Sequence, residues 1–303
     1  MRHAITVACL LSSALVPVQA QININTDAVK KAVVFLYAAK ESGEVDPDKA
    51  IGTGFFVEVP LKSQPQKAYK LLVTARHMIE PQWALCPNPN PKRLYIRLNK
   101  KDYSAATDAE GVGYVPLTVA QDNQPSWMVH DDPQVDVAIT ILNPKSFESY
   151  DTSAVPLSVF ATPEELHGLN VGTFVISAGL IPGASGKNRN YPIFKFGYVS
   201  SIPDEPIDTS CAPGGQTQPR KVWLVAANLV PGNSGSPIFV VPAGANGILI
   251  GGGRAMLVGL QSISLVLADI SGMTQAEYIF DVVKKLNLND ADLYRGANDK
   301  KPK

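Results

Sequence analysis

Short runs of β-branched and apolar residues recur along this chain, each cut off within a few positions by Gly, Pro, Asn or Asp. Runs at 32–39, 54–59, 69–74, 93–98, 113–119 and 135–142 precede a Pro- and Ser-rich stretch at 143–158. A second series follows at 172–177, 193–200, 221–226, 238–241, 248–251 and 256–262. Strand-length runs at such spacing argue for an all-β sandwich or barrel. The break between the two series sets the expected domains: a first β-barrel over 21–150, a second over 151–270, and a helix with a polar tail over 271–303. In that last segment Thr274-Gln-Ala-Glu277 has the form of a capping box. Ile279, Phe280, Val282, Val283 and Leu286 then recur at helical spacing, as in an amphipathic helix laid on the second barrel.

The first residues pair a positive start, Met1-Arg2-His3, with an apolar run at 4–18 and a small-residue site ending at Ala20. That pattern is a secretory signal peptide over 1–20, and its apolar run is shorter than the roughly 20 residues that span a bilayer. The expectation is an exported protein, periplasmic or extracellular, with no membrane span. Lys plus Arg and Asp plus Glu number 27 each, so no overall field points to nucleic acid or an anionic membrane. Cys9 falls in the leader, which leaves Cys86 and Cys211. In an oxidising compartment they form either a disulfide or two buried thiols, because sequence does not give their Cα separation. No metal or organic cofactor is implied: these cysteines and the histidines His77, His130 and His167 show no ligand spacing.

Reactive chemistry concentrates in Pro231-Gly-Asn-Ser-Gly-Ser-Pro-Ile-Phe239. Gly232 and Gly235 permit backbone angles that a β-carbon forbids, so this loop can turn the amides of Gly232 and Ser234 toward one point. Converging N–H groups beside a hydroxyl are what acyl transfer needs. On its own the string is also an ordinary turn. Two other segments agree with the catalytic reading. Leu71-Leu-Val-Thr-Ala-Arg-His77-Met-Ile79 is a strand ending in a small-residue turn with a histidine at its exit. Gln134-Val-Asp136-Val-Ala-Ile-Thr-Ile-Leu142 is a strand with a carboxylate near its start. A carboxylate buried there needs a partner, and a histidine N–H supplies one while fixing the ring's tautomer. His167 reads as part of a surface helical turn, and His130 as a solvated loop residue beside Asp131 and Asp132.

The order His77, Asp136, Ser234, preceded by the glycine-punctuated strand Gly52-Thr-Gly-Phe-Phe-Val57, resembles the trypsin-like (chymotrypsin-fold) serine peptidases. It is most similar to the bacterial branch of glutamyl endopeptidases and Htr-type proteases, without a PDZ domain, over roughly residues 30–285. The resemblance implies two six-stranded antiparallel β-barrels with a C-terminal helix. It also implies a serine endopeptidase acting on protein or peptide substrates through a Ser-His-Asp triad and an acyl-enzyme. Gly232 and Ser234 would supply the oxyanion-hole amides. Asn233 replaces the aspartate that trypsin-type zymogens pair with a newly cut N-terminus, so activation by that ion pair is not expected. The pocket for the residue before the scissile bond would be lined by Asn228, Leu229, Gln261, Ser262 and Ser264. No aspartate stands at Asn228 and no histidine at Gln261, which argues against Lys/Arg or Glu preference and toward a small or apolar residue. A non-catalytic binding or adhesion protein on the same scaffold, and an esterase using the same triad, are the alternatives.

Overall fold

The computed structural model describes residues 24–104, 110–121, 124–181, 183–211, 214–241, 254–265 and 269–296. The segment 1–20 expected to be a leader, the run at 248–251 and the tail beyond residue 296 lie outside these. After helix α1 (Thr26–Ala32) come β1 (Val33–Ala39), β2 (Val45–Pro60), β3 (Ala68–Thr74), β4 (Arg93–Asn99) and β5 (Val112–Thr118). Four short strands and a longer one follow: β6 (Ala120–Gln121), β7 (Gln124–Pro125), β8 (Met128–Val129), β9 (Ala138–Ile141) and β10 (Val155–Pro156). Helix α2 (Pro163–His167) leads into β11 (Phe174–Gly179), β12 (Ile193–Ser201), β13 (Ile207–Ser210) and β14 (Thr217–Arg220). The described part ends with β15 (Trp223–Ala226), β16 (Pro237–Val240), β17 (Met256–Leu265), β18 (Ile270–Gln275) and helix α3 (Ala276–Lys285).

The chain is all-β with a C-terminal helix. Strands β11, β12, β15, β18, β17 and β16 close a six-stranded antiparallel barrel. The first half forms an eight-stranded sheet in the order β5-β4-β1-β2-β3-β9-β8, with β10 paired in parallel to β2. Its sequence explains why it is buried on both faces. Alternate residues of a strand point to opposite sides: Val33, Phe35 and Tyr37 enter one core, and Val34 and Leu36 enter another. Strand β2 repeats this with Phe55 and Val57 against Phe56. The barrel interior is a third core, built from Val175, Val199, Val225, Ile238, Val258 and Met273.

The largest core is shared. It joins Phe35, Phe55 and Val73 of the first sheet to Leu180, Phe239 and Leu257 of the second half, and to Ile279, Val282 and Val283 of α3. Helix α3 therefore packs on both halves, against β8 and β9 as well as β17 and β18, rather than on the second barrel alone. Its start also differs from expectation. Thr274 is fully buried in β18, opposite Leu260, and the helix begins at Ala276 with Gln275 as an N-cap that makes no side-chain cap bond. Strand pairing wins over the capping-box pattern because it satisfies the Thr274 backbone inside the barrel. Helix α1 begins with Asn25 capping the Ala28 amide at 3.0 Å, and it buries Val29 and Ala32 in the shared core. Among the described residues, no helix is long and apolar enough to cross a membrane.

Candidate active site

His77 sits in a single 3-10 turn (Arg76–Met78) at the exit of β3, with the Met78 amide bonded to Ala75 O at 3.0 Å. Asp136 lies just before β9 rather than within a strand, between the fully buried Val135 and Val137. The two meet twice. Oδ1 of Asp136 accepts the His77 backbone amide at 3.0 Å, and Oδ2 stands 2.7 Å from His77 Nδ1. An ionised carboxylate only accepts, so Nδ1 carries a proton toward it, and Nε2 has no hydrogen-bond partner among the described residues. Burial pushes the Asp136 carboxyl up, yet the charges and hydrogen bonds of His77 and Arg220 outweigh it and hold the group below the usual carboxylate range.

Arg220, from β14 of the second half, is the group that sequence reading misses here. Its Nη1 donates to Asp136 Oδ2 at 2.7 Å. Nothing in Thr217-Gln-Pro-Arg220 signals that contact, since its partner lies 84 positions away. Asp131 and Asp132 are paired rather than merely solvated, with Lys285 and with Lys221 (2.6 Å) respectively. His130 is half-buried, set edge-on against Tyr278 of α3, and its Nδ1 accepts the Asp132 amide at 3.0 Å. His167 is exposed at the end of α2.

Ser234 follows two turns of backbone. Gly232 and Gly235 take φ of +97° and +87°, which favour glycine. The Asn233 amide bonds to Val230 O at 3.0 Å, Gly235 N to Gln261 O at 2.7 Å and Ser236 N to Asn233 O at 2.8 Å. Among the described residues, the amides of Gly232 and Ser234 have no acceptor. Their carbonyls are held from β2: Thr53 Oγ1 donates to Gly232 O at 2.8 Å and Thr53 N to Ser234 O at 2.9 Å. The Asn233 side chain is almost wholly buried, accepts from Lys195 Nζ (3.1 Å) and the Val230 amide (3.0 Å), and donates to Leu180 O (2.8 Å). Lys195 also donates to Asn228 O, so a half-buried cation braces this loop.

His77, Gly232 and Ser234 line one cleft of about 1230 Å³, large enough for several residues of a peptide. No hydrogen bond joins Ser234 Oγ to the His77 ring among the described residues; such contacts often tighten only in the substrate complex. The residues expected to line the specificity pocket are Asn228, Leu229, Gln261, Ser262 and Ser264. Asn228 is exposed with φ +45°. Leu229 belongs to the barrel core, Ser262 donates to Gly272 O, and the fully buried Gln261 donates to Ile263 O and Ser264 Oγ, both at 2.9 Å. None of them borders this cleft.

A closed antiparallel barrel stands beside a second large β-sheet, with a C-terminal helix packed on both, in keeping with a chymotrypsin-like fold. No protein-family model and no curated protein matches the chain. Solved structures that align with it include the MamO protease domain from Magnetospirillum magneticum, at 13% identity and TM-score 0.48, covering 84% of this chain and 97% of that one. The Rv3671c protease from M. tuberculosis in its active form aligns at 15% identity and TM-score 0.43, covering 95% and 99%. A structure of HBP aligns at 13% and 0.44, covering 85% and 92%. These are likenesses of fold.

Proposed function

We propose that the protein is an exported serine endopeptidase with His77, Asp136 and Ser234 as its triad. The observation that carries this reading is the 2.7 Å contact of His77 Nδ1 with a fully buried carboxylate, on a ring that shares its cleft with Ser234. Nε2 of His77 takes the Ser234 hydroxyl proton as the oxygen attacks the scissile carbonyl carbon. The carbonyl oxygen becomes an oxyanion between the amides of Gly232 and Ser234, which have no acceptor among the described residues. His77 passes the proton to the departing amine, and a water molecule activated by the same ring then releases the acyl group. The disulfide between Cys86 and Cys211 supports export, because such bonds persist in oxidising compartments.

Labelling by a fluorophosphonate, compared between wild type and Ser234→Ala, tests the reading, with a peptide library to follow. Wild type is expected to label and to cut peptides, and Ser234→Ala to do neither. Folded wild type that does not label would favour a binding protein on this scaffold, and ester cleavage without peptide cleavage would favour an esterase.

A further inference from the structure

Strands β13 and β14 form a two-stranded hairpin outside the barrel, and it is fastened to the first half at both ends. Cys211, just beyond β13, is bonded to Cys86 in the loop that follows His77. Arg220 closes β14 on Asp136, and the next residue, Lys221, donates its amide to Gln134 O at 3.0 Å and its Nζ to Asp132 at 2.6 Å. The guanidinium carbon of Arg220 lies 4.3 Å from the centroid of the Trp83 ring, over which Arg76 also lies at 4.5 Å. Arg76 is neutralised by Glu80 at 2.7 Å. Arg220 is thus the buried cation that bonds the Asp136 carboxylate, and it shares Oδ2 with His77.

We propose that Arg220 is a positioning residue of this site: through Asp136 it holds the His77 ring with Nδ1 protonated and Nε2 turned to the cleft. The inference rests on the peptidase reading for its catalytic consequence, but not for its geometry. A buried carboxylate facing only a neutral imidazole would keep an unbalanced negative charge in apolar surroundings, and it would relieve that charge by turning or by taking a proton. Either outcome releases the ring. Arg220 balances the charge with a planar, permanently protonated group whose stacking on Trp83 fixes its direction. The His77 amide on Oδ1 and the two donors on Oδ2 leave the carboxylate one orientation.

The test uses the mature protein and the variants Arg220→Gln, Arg220→Lys and the double variant Cys86→Ser/Cys211→Ser. Proton NMR reads the hydrogen-bonded His77 Nδ1–H directly, and hydrolysis of a small activated ester reads kcat and KM. For folded Arg220→Gln the expectation is a displaced or exchange-broadened His77 signal, kcat lower by roughly 10–100-fold, as for outer partners of a functional site, and KM within about twofold. Arg220→Lys, which keeps the charge but not the stack on Trp83, should recover only part of both readouts, and loosening the hairpin by the double serine variant should broaden the same signal. Folded Arg220→Gln with an unaltered signal and unaltered kcat would overturn the proposal, as would Arg220→Lys behaving like Arg220→Gln. If Arg220→Gln does not fold, the lysine and double-serine variants decide by the same signal. Wild type inert to esters sinks the peptidase reading, whereas the His77 resonance still decides the role of Arg220.

Discussion

Gly235 and Thr53 approach so closely that a β-carbon on Gly235 would lie 2.0 Å from the Thr53 carbonyl oxygen and 2.5 Å from Thr74 Oγ1. The glycine also holds φ +87°. Two separate penalties therefore meet at one position. Gly235→Ala should lower unfolding free energy by on the order of 3 kcal/mol or more, from strain together with overpacking, and abolish fluorophosphonate labelling. Denaturant titration beside a labelling assay checks this, and a stable, fully labelled variant would contradict it.

Thr53 gathers four hydrogen bonds around that contact. Its hydroxyl donates to Gly232 O and accepts the Leu180 amide at 3.0 Å, its amide holds Ser234 O, and its carbonyl accepts Thr74 Oγ1 at 2.7 Å. Thr53→Val keeps the shape and deletes the hydroxyl. Each buried partner left unsatisfied costs about 1–3 kcal/mol, so destabilisation should exceed that of an ordinary surface change. Because Gly232 O is released beside the amides of the proposed oxyanion site, kcat should fall more than KM rises. Steady-state kinetics on one peptide substrate separate the two.

Acid should expose the Asp136 contribution. Its folded-state pKa is depressed by His77 and Arg220 against the opposing effect of burial. The stabilisation is therefore complete above the ordinary value of 3.8 and is lost as pH falls through the lower folded value. Unfolding free energy should drop on acidification below about pH 4, and Asp136→Asn should remove that component. The same substitution should cost on the order of 10⁴ in kcat by leaving the ring in the wrong tautomer. A wild-type acid profile identical to that of Asp136→Asn would refute the assignment.

Charge along the cleft bears on substrates. Lys40, Lys49, Lys92 and Arg93 line it with a single carboxylate, Glu41, and none of the four cations is in an ion pair among the described residues. In a chain of zero formal net charge this is a local surplus. Peptides with acidic residues on that side of the scissile bond should be cut faster, and salt should weaken the preference. Lys92→Glu with Arg93→Glu should lower kcat/KM for such peptides about tenfold while sparing neutral ones. Equal effects on both peptides would dismiss the idea.

The sequence makes some of these features readable and hides others for physical reasons. Strands β1 to β5 stand out because each carries an apolar run long enough to bury, bounded by turn residues. The pairing of His77 with Asp136 follows from a carboxylate between two valines, although the segment 135–137 is buried without joining the β9 ladder. Hairpin β13–β14 is hidden, since Ile207-Asp-Thr-Ser210 and Thr217-Gln-Pro-Arg220 have the composition of a loop. Whether Cys86 and Cys211 bond is a question of distance, and only the fold brings their Cα atoms to 5.2 Å. Helix α1 depends on an asparagine cap and two small apolar contacts, too little to register as a pattern.

The core that joins the halves depends on the last helix. Ile279, Val282 and Val283 complete it, and they follow both sheets in the polypeptide. Without α3, the flanks of Phe35, Phe55 and Leu257 that this helix covers would face solvent. The segment farthest in sequence from His77 is thus part of what clamps the two halves around the cleft.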